Sequence, residues 1–322
     1  MQVFRGFSRA RQAVPARSGV ALTIGSFDGV HRGHQAMLAL LTNEARHRGL
    51  PATVLTFEPH PRDWFAARSG QPAPARIATL RDKLAELERC GIDRVVVARF
   101  DARMAQRTPQ AFVDEVLRDG LATRWLLVGD DFRYGARRAG SYQTLDDAGA
   151  AAGFEVARMM SYEVHGQRVS SSAVREALAS GDMARAASLL GRPYSVSGHA
   201  VHGRKLGREL GFPTLNLRFA HPRPAAMGIF VVRVHGLTEH PLPGVASLGV
   251  RPTIEEAGRV LLETHCLQWP LAAEAGYGRC LRVDLLHKLH DELKYDSLEA
   301  LREGIARDTQ AAHDWFAAAA AA

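Results

Sequence analysis

Short β-rich runs alternate with helical patterns over the first 190 residues, and this alternation limits the possible folds more than any other feature of the chain. Val20–Ile24 is a short, mostly apolar run typical of a buried strand, and residues 35–46 carry apolar side chains at helical spacing. Strands that alternate with helices predict a doubly wound parallel sheet, covered by helices on both faces. Further strands are predicted at 52–57, 94–98, 125–128 and 154–159, and further helices around 80–87, over 109–117 and up to 152.

The pattern changes near Gly191, Arg192 and Pro193, after which short strands follow one another without a helix until residue 297. Closely spaced strands separated by glycine and proline predict a small antiparallel β-barrel, and apolar residues at helical spacing from 298 to 316 predict a terminal helix packed against it. Because 322 residues suffice for two domains, we expect an α/β domain over 1–190 and a barrel domain over 191–322. The barrel strands are predicted at 194–201, 215–218, 229–234, 245–248, 261–267 and 281–286.

Composition argues against several protein classes. Hydrophobic residues make up 46% and charged residues 23%, as in ordinary globular proteins, which argues against a mainly disordered chain, collagen or a coiled coil. No apolar run approaches the roughly 18–20 residues that a membrane span requires. The three cysteines, Cys90, Cys266 and Cys280, form no CxxC pair. We therefore expect a reducing, cytoplasmic compartment and neither a disulfide framework nor a zinc knuckle.

The formal net charge of +7 favours an anionic partner. Because the basic residues are scattered and form no block of five or more, small phosphorylated ligands are favoured over nucleic acid or a membrane surface. The first nineteen residues carry four arginines and no acidic residue, as a transit peptide would, but lack a clean amphipathic stripe. We favour a ragged domain start there, and Val3 and Phe4 are suited to open a first strand.

The segment from Gly25 to His34 lies directly between a predicted strand and a predicted helix and carries the strongest chemical signal. Its three glycines let the backbone approach a ligand, and His31 and His34 can face one phosphate from the first helical turn. The free N–H groups and the positive end of the helix dipole add to this anion site, where imidazoles can stabilise charge on phosphorus. A zinc site would need a third ligand, and a pair of surface histidines is the simpler alternative. We predict phosphate chemistry.

Three further motifs follow along the chain, at 56–61 (TFEPHP), 128–135 (VGDDFRYG) and 169–175 (VSSSAVR). In this order the four motifs resemble the HxGH nucleotidyltransferase superfamily and, within it, the bacterial bifunctional riboflavin kinase/FMN adenylyltransferases, or FAD synthetases. The resemblance extends from residue 20 to residue 311. It implies that the barrel domain phosphorylates riboflavin to FMN with ATP, and that the α/β domain adenylylates FMN to FAD with release of pyrophosphate. It also implies Mg²⁺ as the cofactor, riboflavin, FMN and ATP as substrates, and no nucleic-acid or membrane partner.

The residues of the first domain leave several roles open. Three serines precede a helical stretch with Arg175 one turn in, which favours a second phosphate cradle, although plain capping would explain the serines. Asp131 follows a buried strand, where a carboxylate either faces a ligand or caps a loop. Without the family, Phe57, Pro59 and His60 are interpreted as core and turn, whereas the resemblance implies a flavin pocket. By resemblance, His31, His34 and Arg175 are catalytic, and the nucleotide site comprises Gly25, Ser26, Phe27, Asp28, Gly33, Asp131, Ser171 and Ser172.

The second domain carries a loop in which glycines alternate with cations, suited to phosphates, although a flexible surface turn is the alternative. Thr214 and Asn216 lie two apart on one side of a predicted strand, and such oxygen ligands suit Mg²⁺. Strand alternation allows Glu263 to point inward as a base, but only the resemblance favours this over a solvent-facing glutamate and makes it the base for the riboflavin 5′-hydroxyl. The resemblance adds Arg251 to the flavin site. The loop residues are Gly203, Arg204, Lys205, Gly207 and Arg208.

Two alternatives to a bifunctional enzyme remain open. The first is a single-activity nucleotidyltransferase whose barrel has become a regulatory module, and the second is a basic RNA-binding protein with an appended barrel. The lack of an RNP-like aromatic motif counts against the second. The chain departs from the family pattern at Ser26, Ser172, Ser247 and Ile254. Ser247 stands where asparagine is usual and is the departure that most affects the expected kinase site.

Overall fold

The computed structural model describes residues 1–12, 19–164, 166–202, 207, 210–219, 221, 223–250, 260–269 and 276–321. They form two compact units. The first unit comprises Met1–Pro74 and Lys83–Val169, and the second comprises Ala75–Asp82 and Ser170–Ala322. Among the described residues, no helix combines the length and the apolar character needed to cross a bilayer.

The first unit contains a six-stranded sheet in which every strand pair is parallel. The strand order is β1-β4-β3-β2-β5-β6, so the chain winds outward in one direction from β2 to β3 and β4 and in the other to β5 and β6. This confirms the predicted parallel sheet. The strands are β1 (Gln2–Arg5), β2 (Val20–Ile24), β3 (Ala52–Glu58), β4 (Arg94–Arg99), β5 (Thr123–Gly129) and β6 (Glu155–Met159).

Helices connect these strands, because a chain that returns to pair parallel needs a long crossover connection. The predicted helix behind Thr108 begins as α6 and continues with π-helical hydrogen bonding over Phe112–Arg118. A small hairpin of β7 (Glu163–Val164) and β8 (Gln167–Arg168) follows β6. The helices are α1 (Phe7–Gln12), α2 (Arg32–His47), α3 (Pro61–Ser69), α4 (Leu80–Arg89), α5 (Ala102–Gln106), α6 (Pro109–Ala111) and α7 (Tyr142–Ala152), with a 3₁₀ turn at Ala136–Arg138.

The central strands of this sheet are buried on both faces. All five residues of β2 are buried, and Leu22 and Leu126 of neighbouring strands are fully buried. Such near-continuous apolar runs are typical of parallel sheets covered on both faces. The segment containing Val3 and Phe4 is an edge strand, β1, which pairs with β4. The carboxyl ends of β2 and β5 therefore meet at the point where the strand order reverses, which is where open α/β sheets bind ligands.

The second unit is built on a closed antiparallel barrel of six strands, as predicted. The strand order is β10-β13-β12-β11-β14-β9, and pairing of β10 with β9 closes the ring. The strands are β9 (Tyr194–Val201), β10 (Leu215–Phe219), β11 (Gly228–His235), β12 (Leu242–Val250), β13 (Val260–Cys266) and β14 (Cys280–His290), and the helices are α8 (Ser171–Ser180), α9 (Met183–Leu190) and α10 (Leu298–Ala321).

The terminal helix α10 packs against the outer face of the barrel. Ala312 is fully buried against Val231 and Val245, with Trp315 and Phe316 beside them. The side chains that fill the barrel interior lie on the opposite face of the same strands, because neighbouring residues of a strand point to opposite sides. This confirms the predicted packing of a terminal amphipathic helix on the barrel.

The segment Ala75–Asp82 joins the second unit although it lies far from the barrel in sequence. The Asp82 carboxylate accepts a hydrogen bond from the backbone N–H of Ser197 at 3.1 Å and a short one from its hydroxyl. Arg76 donates its backbone N–H to the Arg223 carbonyl at 2.8 Å. Burial raises the pKa of Asp82 above its usual value, despite these hydrogen bonds. The sequence patterns did not predict this segment, and the domain boundary at residue 190 remains a prediction.

Candidate active sites

The loop after β2 has an unusual backbone. Phe27 and Val30 adopt positive φ angles of 47° and 41°, a region that is rare for a bulky or β-branched residue. Both side chains are buried, so packing holds the backbone in this conformation. At Gly25, an added Cβ would lie 3.0 Å from the Phe27 ring, so a larger residue would displace that ring. The loop is therefore a closely packed turn that leads directly into α2.

The two histidines of this loop stack on each other. Their ring centroids are 3.6 Å apart and their planes differ by 14°. His31 caps α2, because its Nδ1 accepts a hydrogen bond from the backbone N–H of His34 at 3.2 Å. An added Cβ at Gly33 would lie 3.3 Å from the His31 ring, so glycine at this position leaves room for the stack. The predicted pairing of His31 and His34 on one helical turn is confirmed by this geometry.

His34 is held in its neutral form. Burial lowers its pKa well below 6.5, and the neighbouring His31 and Lys83 lower it further. Its Nδ1 atom is buried and has no hydrogen-bond partner among the residues that the structure describes. The ring also contacts Phe27, with 4.9 Å between centroids. A neutral imidazole retains one N–H, so His34 can still donate a hydrogen bond to an anion at the N-terminus of the 16-residue helix α2.

Aromatic side chains surround the carboxyl end of β3. Phe57 is buried and contacts Phe100 edge to face at 5.7 Å between centroids, and Trp64 and Phe65 of α3 also contact Phe100. Phe65 remains 52% exposed. The candidate flavin residues thus border an aromatic cluster with an accessible edge, which the sequence motifs did not predict.

His60 and Pro59 lie at the start of the next helix, α3. His60 is buried and caps α3, accepting the backbone N–H of Arg62 at 3.0 Å through Nδ1. Pro59 is exposed beside it. The capping hydrogen bond gives His60 a local structural role. Its contact with the flavin stays a prediction.

The carboxyl end of β5 carries two aspartates with different surroundings. Asp130 accepts a hydrogen bond from the Ser161 hydroxyl at 2.6 Å, and this bond holds its pKa below the usual value. Asp131, the predicted site residue, has a side chain 80% exposed, with Arg168 at 3.5 Å. Asp131 is therefore the carboxylate that is accessible to a ligand, whereas Asp130 is engaged by the protein.

Lys83 is a feature of the first unit that the sequence motifs did not predict. It is fully buried on α4, and its Nζ lies 3.4 Å from both Thr56 Oγ1 and Glu58 Oε1 at the end of β3. A signal was present, because Lys83 follows Leu80 by three residues and precedes Leu87 by four. These spacings place it on the apolar face of the helix.

The serines of the VSSSAVR motif lie in the second unit at the start of α8. Ser170 is the capping residue, whose hydroxyl accepts the backbone N–H of Ala173 at 3.2 Å. Ser171 is half-buried, and Ser172 is exposed. Arg175 donates from Nε to the Ala75 carbonyl at 2.7 Å. Capping thus accounts for Ser170 and leaves the hydroxyls of the two following serines on the first turn of the helix.

Three polar residues form a row across the barrel wall. Asn216 of β10 pairs with Glu263 of β13, and Glu263 pairs in turn with Ser247 of β12. Ser247 lies two residues after Val245 on β12, so both side chains point to the same face, and Val245 packs against α10. The row therefore lies on the outer face, and Glu263 does not point into the barrel interior as strand alternation had allowed. Its half-buried side chain shares this face with Asn216, so the two predicted kinase residues do come together.

The side chains of this row differ in whether their polar atoms have hydrogen-bond partners. Asn216 is only 3% exposed, and its Oδ1 has no hydrogen-bond partner among the described residues. Ser247 donates its hydroxyl to Glu292 Oε1 at 2.9 Å. Thr214 lies two residues before Asn216 and is half-buried, and an added Cβ at Gly207 would lie 3.5 Å from its Oγ1. An unpartnered buried amide oxygen is suited to bind a cation such as Mg²⁺.

Five of the predicted site residues of the barrel domain lie outside the described residues: Gly203, Arg204, Lys205, Arg208 and Arg251.

Comparison with known proteins decides the family. A family model described as FAD synthetase matches residues 14–173, and one described as riboflavin kinase matches residues 190–316. The bifunctional riboflavin kinase/FMN adenylyltransferase of Escherichia coli K12 is 45% identical over 98% of each chain. The chain belongs to the bifunctional riboflavin kinase/FMN adenylyltransferase family. Proteins of the same name from Pseudomonas fluorescens and Haemophilus influenzae are 42% and 39% identical, over 97% or more of each chain.

Membership in the riboflavin kinase/FMN adenylyltransferase family confirms the resemblance read from the four motifs. Because separate family models match both halves of the chain, a single-activity nucleotidyltransferase is not favoured. A solved structure described as a macrolide-efflux protein from Streptococcus pneumoniae aligns with a TM-score of 0.77, covering 98% of this chain and all of the other. At 24% identity that likeness shows the fold alone.

Proposed function

We propose that the chain makes FAD from riboflavin in two ATP-dependent steps, and that the stacked pair His31 and His34 is the reactive centre of the second step. The pair lies at the N-terminus of α2 and at the carboxyl end of β2, where phosphate groups bind in folds of this kind. In this step an oxygen of the FMN phosphate forms a bond to the α-phosphorus of ATP. The bond from that phosphorus to the bridging oxygen breaks, and pyrophosphate leaves.

The two histidines stabilise the charge that develops on the phosphoryl oxygens. His31 accepts the His34 backbone N–H at Nδ1, so its Nε2 carries the proton when the ring is neutral and is the ring atom that can donate. His34 donates as a neutral imidazole, in keeping with its lowered pKa. Donors placed where charge grows contribute most of the rate in reactions of this class, together with positioning. No covalent enzyme intermediate is required.

Other residues hold the substrates of this step. The backbone of Gly25, Ser26, Phe27, Asp28 and Gly33 approaches the nucleotide phosphates, with Asp131 as an accessible acceptor. By resemblance to the family, Ser171, Ser172 and Arg175 of the VSSSAVR motif also bind nucleotide phosphate. Phe57, Pro59 and His60 contact the flavin, beside the exposed edge of the aromatic cluster. The support for the nucleotide contacts is the tight loop, and for the flavin contacts it is the apolar aromatic surface next to that loop.

The first step, phosphorylation of riboflavin, belongs to the barrel. The riboflavin 5′-hydroxyl oxygen forms a bond to the γ-phosphorus of ATP, ADP leaves, and Glu263 accepts the hydroxyl proton. The supporting observation is the row of Asn216, Glu263 and Ser247, which brings a carboxylate next to a buried, unpartnered amide oxygen. Gly203, Arg204, Lys205, Gly207 and Arg208 bind the ATP phosphates, and Arg251 contacts the flavin.

The donor set of the barrel fits Mg²⁺. Thr214 and Asn216 would hold the ion through a hydroxyl and an amide oxygen, and Asn216 Oδ1 is available because it has no partner among the described residues. When bound, Mg²⁺ neutralises polyphosphate charge and favours the reactive conformation of ATP. Glu263 acts on the hydroxyl proton independently of that role.

Product chromatography over time tests the proposal. Purified protein supplied with riboflavin and Mg-ATP should form FMN and ADP first and FAD and pyrophosphate afterwards. Protein supplied with FMN and ATP should form FAD without ADP. A preparation that adenylylates FMN but never forms ADP from riboflavin would instead be a single-activity enzyme. Steeply salt-dependent RNA binding without any flavin product would indicate the nucleic-acid alternative.

A further inference from the structure

A fully buried lysine is the least expected feature of the first unit. The Lys83 side chain is 0% exposed, and lysine is among the residues least often buried in proteins. Removing an ammonium group from water is costly unless it is well paired. The Glu58 carboxylate lies 3.4 Å from the Lys83 Nζ, with a side chain 26% exposed. Replacing a buried ion pair by apolar residues of similar size is often neutral or stabilising, so the fold alone does not require a cation here.

The contacts of Lys83 lead directly to the histidine loop. Its Nζ donates to Thr56 Oγ1 at 3.4 Å, and the Thr56 hydroxyl donates in turn to the Ser26 carbonyl at 3.5 Å. Thr56 is itself fully buried. Ser26 follows Gly25, whose backbone N–H donates to the Leu55 carbonyl at 3.0 Å. The ammonium group therefore lies behind the loop, on the side of β3, with one side chain between it and the loop backbone.

We propose that Lys83 is a positioning residue for FMN adenylylation, whose buried ammonium group fixes the end of β3 against the Gly25–His34 loop and gives the site a positive charge. This rests on the proposed adenylyl transfer at His31 and His34. The substrates of that step carry several negative charges, so a fixed cation in a water-poor position attracts them without reorganising during the reaction. Lys83 touches neither substrate nor reacting atoms in this role.

The effect of Lys83 on His34 supports the same role. Burial, His31 and Lys83 all lower the pKa of His34, so the ammonium group helps to keep that imidazole neutral. Removing the cation should raise the pKa of His34 toward its usual value. The acid limb of the pH profile for FMN adenylylation should then move to higher pH, because His34 becomes protonated earlier as the pH falls. A purely structural lysine would not move this limb.

The test compares Lys83→Met, Lys83→Arg and Arg89→Met in the full-length chain. Arg89 lies on the same helix but is exposed and pairs with Glu86, so its variant removes a cation that plays no part in the proposal. Lys83→Met should lower kcat/KM for FMN adenylylation about 10²-fold, because a small displacement of the reacting groups from their productive positions has an effect of that size. Lys83→Arg should recover at least about a tenth of the wild-type rate and keep the wild-type acid limb. Arg89→Met should stay within about twofold of the wild type.

Riboflavin phosphorylation by the same preparations, together with thermal melting, separates a local effect from misfolding. Lys83→Met should keep the wild-type kinase rate. The proposal is overturned if Lys83→Met adenylylates FMN at the wild-type rate with an unmoved acid limb. It is also overturned if a well-folded Lys83→Arg variant is as slow as Lys83→Met, or if both activities fall in proportion to a lowered melting temperature. Failure of the wild type to make FAD would instead refute the proposed function.

Discussion

Replacing Asn216 with leucine should make the protein more stable and a much poorer riboflavin kinase. The Asn216 side chain is 3% exposed, and its Oδ1 has no hydrogen-bond partner among the described residues. Burying such a polar atom costs about 1–3 kcal/mol, and an apolar side chain of similar size removes that cost. In a domain of this size each kcal/mol corresponds to roughly 2–4 °C in Tm. Asn216→Leu should therefore melt several degrees above the wild type in metal-free buffer.

The same change removes the amide oxygen that we propose for Mg²⁺. Losing one metal ligand in a phosphoryl-transfer site should cost at least about 3 kcal/mol of transition-state stabilisation, which corresponds to a loss of about 10²-fold in riboflavin phosphorylation. FMN adenylylation by the same preparation should be unchanged, which provides an internal control. The assays are calorimetry with chelator and chromatography of FMN formed from riboflavin and Mg-ATP.

Thr264→Val is the matched control. Thr264 lies on β13 next to Glu263, is fully buried, and has a hydroxyl without a partner among the residues described. Because it faces the barrel interior, its removal should also raise the Tm but leave riboflavin phosphorylation within about twofold of the wild type. An Asn216→Leu variant that loses stability, or that phosphorylates riboflavin normally, would refute the reasoning.

Three further predictions concern the division of labour along the chain. His31→Ala or His34→Ala should lower FAD formation about 10²–10³-fold while FMN accumulates, and normal FAD output from the double variant would contradict the role of the pair. Glu263→Gln should block FMN formation, yet FMN supplied directly should still be adenylylated; a wild-type kinase rate would mean that the base lies elsewhere. A fragment of residues 187–322 should melt cooperatively and retain riboflavin kinase activity, and a folded but inactive fragment would show that the kinase site needs residues outside it.

The structure qualifies the expected stability of that fragment. The second unit also includes Ala75–Asp82, helix α8 and the first half of α9, and Asp82 accepts two hydrogen bonds from Ser197. A fragment without Asp82 loses both of these hydrogen bonds, and a hydrogen bond to a charged group contributes about 1.5–3 kcal/mol when it is buried and less where water can replace it. Its Tm should therefore lie below that of the same unit in the full chain, even where the kinase activity is kept.

Most elements could be predicted because their signals are local. The apolar run of β2, the helical spacing of α10 and the alternation along β13 each depend on neighbouring residues alone. The local sequence pattern is therefore enough to predict these three elements. The three-residue spacing of His31 and His34 likewise places both rings on one helical turn. The order of the four motifs along the chain indicated the family, which no single motif specifies.

The sequence by itself determined the parallel sheet, the barrel, the terminal helix and the loop between β2 and α2, because periodicity and turn residues act over a few positions. Only the tertiary structure decided that Lys83 is buried beneath that loop, that Asp82 bonds to the barrel, and that Asn216 and Glu263 share the outer face. Each of these depends on residues brought together from distant parts of the chain. Burial and hydrogen-bond satisfaction are properties of that packing, so no local pattern encodes them.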